Sequence, residues 1–167
     1  MGLALMFRFV FVATGYEQGL GMFSILLFCV GNCAESRLVK LQKLQNRAAR
    51  IITNSSYDAP AEALIKELKW PTVRDMIRTE TATIVFKSIN NLAPDYLSHL
   101  FIRNSDRNII NLRNAETDLL VPFMKTNNGQ KAFAFRGAKI WNDLNREAKQ
   151  APSLSSFKNK MKCLVVK

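Results

Sequence analysis

Between residues 36 and 53 the chain sets leucine and cation at two interleaved helical spacings, and this pattern constrains the fold more than any other stretch. Wound at about 100° per residue, Leu38, Leu41, Leu44, Ala48, Ile51 and Ile52 collect on one side. Arg37, Lys40, Lys43, Arg47 and Arg50 collect on the other. The spacing predicts an amphipathic basic helix of about four to five turns, with Ser36 as N-cap and the polar run 53–56 as its stop. An apolar side of this kind needs apolar surface to lie against, so the rest of the chain must supply one.

It does so mostly with further helices. Residues 56–70 read as a second helix, with Asp58 as candidate N-cap, Pro60 in the first turn and Leu64, Ile65 and Leu68 facing inward. A third is expected to run from Val73, through Ile77, Ile84, Val85 and Ile89, to Asn90 and Asn91, with Arg74 and Arg78 one turn apart beside the apolar positions. Pro94 and Asp95 open a short helix whose Tyr96, Leu97, Leu100 and Phe101 are expected to pack inward. Helical spacing returns at Ala138, Trp141 and Leu144, and again at Leu154, Phe157, Met161 and Leu164 behind a Ser153 cap, where Lys158, Lys160 and Lys162 alternate with the apolar positions.

From Ile102 to Asn128 the helical period lapses. Residues 119–124 are strand-like, with Pro122 pointing to an edge or an extended loop, and Phe133 and Phe135 alternate as in a half-buried strand. Asn127, Asn128 and Gly129 tolerate the positive φ of a tight turn, so the two runs could pair as a hairpin. The expected fold is therefore mainly α, a small helical domain with a short β-hairpin or extended loop insertion.

Two segments differ in composition. Residues 1–33 form an apolar N-terminal segment of unclear origin, with two apolar runs of about 11 to 12 residues where a bilayer span needs about 18 to 20. Its early charge, Arg8, lies inside the first run rather than before it, unlike a secretory signal. It reads as a buried segment or one foreign to the rest of the chain, with a membrane anchor as the other reading. Residues 34–167 form the basic helical domain: 23 basic against 11 acidic side chains over 37–167, in a chain of net charge +11. Such a balance favours polyanions, nucleic acid before anionic membrane. Cys29, Cys33 and Cys163 make no disulfide framework and point to a reducing compartment, nucleus or cytoplasm.

The groups of independent catalysis are missing. No two acidic residues adjoin, as a magnesium-dependent polymerase or nuclease would need, and Gly19-x-Gly21 lacks the third glycine of a phosphate loop. His99 is the single histidine, which leaves no Ser/His/Asp set and, with a lone Cys-x3-Cys pair, no zinc site. No cofactor or metal is expected. Trp70, Trp141, Phe133 and Phe135 could stack on bases, although aromatics at structural spacing are ordinarily core. Arg113 and Arg136 border the loop region, where planar guanidinium groups suit phosphate as well as plain solvent exposure.

Six segments taken in order resemble a known family: KLQKLQNRAARIIT (40–53), LKW with the arginines after it (68–78), FKSINNLAPDYL (86–97), NLRNAE (111–116), LLVPFMKTNNGQKAFAFRGAKIWNDL (119–144) and PSLSSFKNKMK (152–162). They are similar to the carboxy-terminal region of reverse transcriptases from non-LTR, LINE-type, jockey-like retrotransposons. The likeness spans residues 28–164, and FCVGNC (28–33) is similar to the segment that leads into this region, though without its tryptophan. Asn145 stands where the family usually has proline. The resemblance implies a region that follows fingers, palm and thumb, in a protein that copies RNA into DNA. It also implies that the paired catalytic aspartates of the palm would lie upstream of residue 28, so that this stretch alone is not an enzyme.

The functional expectation is then a fragment of a retrotransposon-encoded RNA-directed DNA polymerase, inactive alone, that binds RNA or DNA non-specifically through phosphate contacts. Arg37, Lys40, Lys43, Arg47, Arg50, Arg113 and Arg136 are the candidate contacts. The missing polymerase domain is the other implied partner. A structural remnant that braces the polymerase, and a basic protein lying on anionic membrane, remain as alternatives, since a charged face is also what simple solvation gives.

Overall fold

Eight α-helices hold most of the residues that the computed structural model describes, 35–107 and 116–165. They are α1 (Glu35–Ile52), α2 (Ala61–Glu67), α3 (Val73–Ile89), α4 (Asp95–Ser98), α5 (Asn104–Arg107), α6 (Phe133–Asn142), α7 (Arg146–Lys149) and α8 (Leu154–Val165), with a 3-10 turn at Gly129–Lys131. The fold is mainly α, and the described residues form no sheet. The chain divides into two compact units, and the division falls inside α3, between Ile77 and Arg78. The apolar segment 1–33 lies outside the described residues.

In the first unit α1 is held at two places. Leu38 and Leu41 pack, with Met76, on the buried Val73 and Ile77 at the start of α3. Ala49 packs on Leu64 and Ile65 of α2, joined by Ala59, Leu68 and Trp70. Between these contacts the buried side chain is a glutamine: Gln45 is 3% exposed. Its Nε2 donates to the Pro71 carbonyl at 2.7 Å, and Gln42 Oε1 accepts from the Val73 N–H at 3.1 Å. Gln42 Nε2 donates in turn to Gln45 Oε1 at 2.9 Å. One of the backbone donors that a helix start leaves without an intrahelical partner is thus satisfied from a neighbouring helix. Thr72 completes the cap, its Oγ1 accepting from the Asp75 N–H at 3.2 Å and donating to Asp75 Oδ2 at 2.6 Å.

This packing turns α1 from the expected orientation. The buried side centres on Gln45, with Leu38, Leu41, Ala48 and Ala49 around it, and leaves Leu44, Ile51 and Ile52 exposed. The physical reason is that two alanines let a neighbour approach closely while two glutamines find backbone partners, so polar residues go in and three larger apolar ones stay out. Two expected caps are also corrected. Ser36 is already inside α1, and α2 is N-capped by Pro60 without a side-chain bond, so Asp58 is not its cap.

α1, α2 and α3 end alike. Asn54, Lys69 and Asn91 have φ of 49°, 52° and 54°. The following N–H groups of Ser55, Trp70 and Leu92 reach back to the carbonyls of Arg50, Ile65 and Lys87 at 3.0, 2.9 and 2.8 Å. These are Schellman closures, which satisfy carbonyls the helix itself leaves open.

The second unit is built on an aromatic stack. Phe157 of α8 is fully buried, with its ring centroid 4.6 Å from that of Phe86 and 6.0 Å from that of Trp141. Val85, Phe101, Leu119, Ala138, Leu144 and Met161 are among the residues buried with them, as the spacing of Trp141, Leu144, Phe157 and Met161 predicts. Ser153 caps α8, its Oγ accepting from the Ser156 N–H at 3.2 Å. In α4 the expectation fails in part: Phe101 is buried, but Tyr96 and Leu100 are exposed, because a single four-residue turn offers too short a face to bury all of them.

Of the stretch ahead of α6, residues 116–128 are an extended loop, not a hairpin. Among the described residues, an isolated bridge pairs Leu119 with Arg103, just ahead of α5. Phe133 opens α6 instead of a strand, Phe135 is helical too, and Phe133 meets Phe101 edge-on at 5.3 Å. Two phenylalanines two apart are too short a pattern to set against the Phe133, Gly137, Trp141 spacing, which is helical. Asn128 has φ of −70°, so the turn before α6 does not use the left-handed backbone expected there. Side chains hold the loop instead. Trp141 Nε1 donates to the Thr117 carbonyl at 2.8 Å, Asn142 accepts from the Leu119 N–H and donates to its carbonyl, both at 2.8 Å, and Lys149 Nζ reaches Asp118 Oδ1 at 2.8 Å.

Candidate nucleic-acid interface

With its Gln45 side docked, α1 turns its cations outward. Arg37, Lys40, Lys43 and Arg47 are exposed and Arg50 is half-buried. At about 100° per residue Arg50, Lys43, Arg47 and Lys40 fall within an arc of about 80°, and Arg37 lies about 60° beyond Lys40. At about 1.5 Å of rise per residue the row is about 20 Å long, with steps of about 4.5 to 6 Å. Leu44 and Ile51 lie between Lys40 and Arg37 in this projection, so Arg37 falls among the apolar positions and not on the cationic side expected of it, and the outward surface is mixed rather than purely charged.

Among the described residues no carboxylate is paired with any of the five. The acidic side chain of α1, Glu35, is taken by Arg74 of α3, both of them exposed. Like charges at such spacing repel and destabilise the helix somewhat. The docked side must therefore hold the row in place, and a polyanion laid along it would relieve the repulsion.

Arg50 differs from the others. Its Nε donates to the Ala59 carbonyl at 3.1 Å, and its guanidinium carbon lies 5.9 Å from the centre of the Tyr57 ring. The loop between α1 and α2 is thereby tied to the end of the row. Tyr57 is missing from the sequence-derived candidates; the signal was a lone aromatic in the polar run NSSYD, placed one short loop from the row's last cation.

Two candidates fall elsewhere. Arg113 lies outside the described residues. Arg136 is on α6 in the second unit, half-buried, and desolvation lowers its pKa from the usual arginine value. Of the aromatics weighed for stacking, Trp141 is core and Trp70 packs beside Leu64 and Ile65, while Phe133 and Phe135 are partly buried. Among the described residues no three His, Cys, Asp or Glu side chains gather as a metal site, and no helix is long and apolar enough to cross a membrane.

Set beside protein-family models, characterised proteins and solved structures, the chain matches none.

Proposed function

We propose that this chain is the carboxy-terminal region of a non-LTR retrotransposon reverse transcriptase, without polymerase activity of its own, that binds RNA or DNA through the phosphates by way of α1. The observation that carries the reading is the row of Arg37, Lys40, Lys43, Arg47 and Arg50, turned to water and unpaired with any described carboxylate, on a helix anchored from behind by Leu38, Leu41, Gln45 and Ala49. The family origin rests on the six ordered segments. Asn145 fits it despite the missing proline, because its side chain accepts from the Ala148 N–H at 3.1 Å and so starts α7 in another way.

The test is a titration of labelled oligonucleotides at several salt concentrations. Five phosphate contacts give a slope of log K against log salt of about −3.5 on a single strand and −4.5 on duplex, so affinity falls about 130- to 500-fold from 50 to 200 mM salt. Replacing Lys43 and Arg47 together by glutamate abolishes binding while helical content stays unchanged. Absence of binding, or affinity flat in salt, overturns the proposal.

The exposed Leu44, Ile51 and Ile52 beside the same cations favour a second reading, an anionic lipid surface. Flotation with vesicles rich in anionic lipid, and failure of RNA to compete, would replace the first reading by the second.

A further inference from the structure

Resting on that reading, the arrangement of Tyr57 narrows the ligand. We infer that the Tyr57 ring, backed by the Arg50 guanidinium, is a stacking platform for an unpaired base, and that the row accordingly takes single-stranded rather than duplex nucleic acid. Tyr57 is 86% exposed, unusual for an aromatic, and yet it is positioned. Arg50 lies over the ring at 5.9 Å and is itself fixed by its bond to the Ala59 carbonyl. The loop carrying Tyr57 is closed onto the helix by the Ser55 N–H on the Arg50 carbonyl at 3.0 Å, and is turned around Tyr57 by the Ala59 N–H on the Ser56 carbonyl at 3.1 Å.

A guanidinium can cover only one face of a ring, and the exposure of Tyr57 leaves the other to solvent. A base laid on that face stands next to Arg50, the last cation of the row that runs back through Arg47, Lys43 and Lys40. This pairing of a cationic track with an aromatic platform is what single-strand binding uses, because every base has a π-face whatever its sequence. In a duplex those faces are occupied by neighbouring base pairs, so Tyr57 has nothing to stack on, and phosphate contact alone remains.

The experiment uses the full chain, with a short oligothymidine carrying one fluorescent adenine analogue whose emission falls when it stacks, and a duplex of equal length. Tighter binding of the single strand, with quenching, is expected. Tyr57→Ala weakens single-strand binding about 5- to 150-fold and removes the quenching, Tyr57→Phe retains both, and duplex affinity stays the same in all three proteins. An unchanged circular dichroism spectrum and melting temperature in Tyr57→Ala show that the fold is intact, as its exposure requires. Equal affinity for the two ligands, or a Tyr57→Ala protein that binds single strands as the parent does, overturns this inference and leaves phosphate binding standing. Binding of neither ligand overturns both.

Discussion

Lys149→Met is the substitution whose cost the second unit states most directly. The Lys149 side chain is 6% exposed, and its ammonium donates at 2.8 Å both to Asp118 Oδ1 and to the Asn142 carbonyl. Methionine fills the room of the lysine stem but removes the charge, leaving an Asp118 carboxylate that is 24% exposed to face its surroundings without a counter-ion. Breaking a fully buried pair from one side costs about 3 to 5 kcal/mol. Water reaches part of Asp118, so about 2 to 4 kcal/mol is expected here, the lower end being the loss of hydrogen bonds to a charged group. Adding Asp118→Asn to the methionine variant neutralises the stranded carboxylate and recovers about 1 kcal/mol or more, since removing both charges costs less than removing one. Urea unfolding followed through Trp141 emission, in a Trp70→Phe background so that only the second unit reports, measures both variants. A double variant no more stable than Lys149→Met alone would refute the reasoning, because the penalty would then not come from an uncompensated charge.

Two further substitutions test packing. A Cβ on Gly137 would stand 2.9 Å from Phe101 Cζ and 3.0 Å from Val85 Cγ2, both on buried side chains, so Gly137→Ala is expected to lower stability by up to about 2 kcal/mol, overpacking of about 1 to 3 kcal/mol outweighing a helix-propensity gain of about 1; a raised melting temperature would show the contact to be loose. Gln45→Leu strips the Pro71 carbonyl of its partner and takes from the Gln42 amide one of its two acceptors, leaving Asn46 Oδ1, and is expected to cost about 1 to 3 kcal/mol in chemical denaturation despite its larger apolar surface; a neutral or stabilising result would mean that the glutamines merely occupy space.

The helices were legible where a long apolar period met a core: Val73, Ile77 and Val85 in α3, Phe157 and Met161 in α8. The ends of α1 and α3 were legible too, since Asn54 and Asn91 tolerate the left-handed backbone that closes them. Lys69 adopts the same conformation, but its side chain carries no preference for it, so that closure could be placed only from the Trp-Pro pair beyond. The rotation of α1 was hidden because an apolar count treats Gln42 and Gln45 as surface, and their partners, the Pro71 carbonyl and the Val73 N–H, are about 30 residues away by the chain's own numbering. For the candidate interface, the grouping of Lys40, Lys43, Arg47 and Arg50 follows from spacing alone. Tyr57 does not, because its significance lies in Arg50 being held over it by a loop carbonyl.

The paired bonds from Asn142 to both backbone groups of Leu119 do for the extended loop what an adjoining strand would do. An extended segment paired on one side only, as that around Leu119 is with Arg103, ordinarily presents open donors and acceptors on the other side that recruit another chain, which is how exposed edges lead to aggregation. At Leu119 one carboxamide occupies those positions from within the molecule. Intermolecular β-pairing at that residue therefore has to displace Asn142 before it can begin.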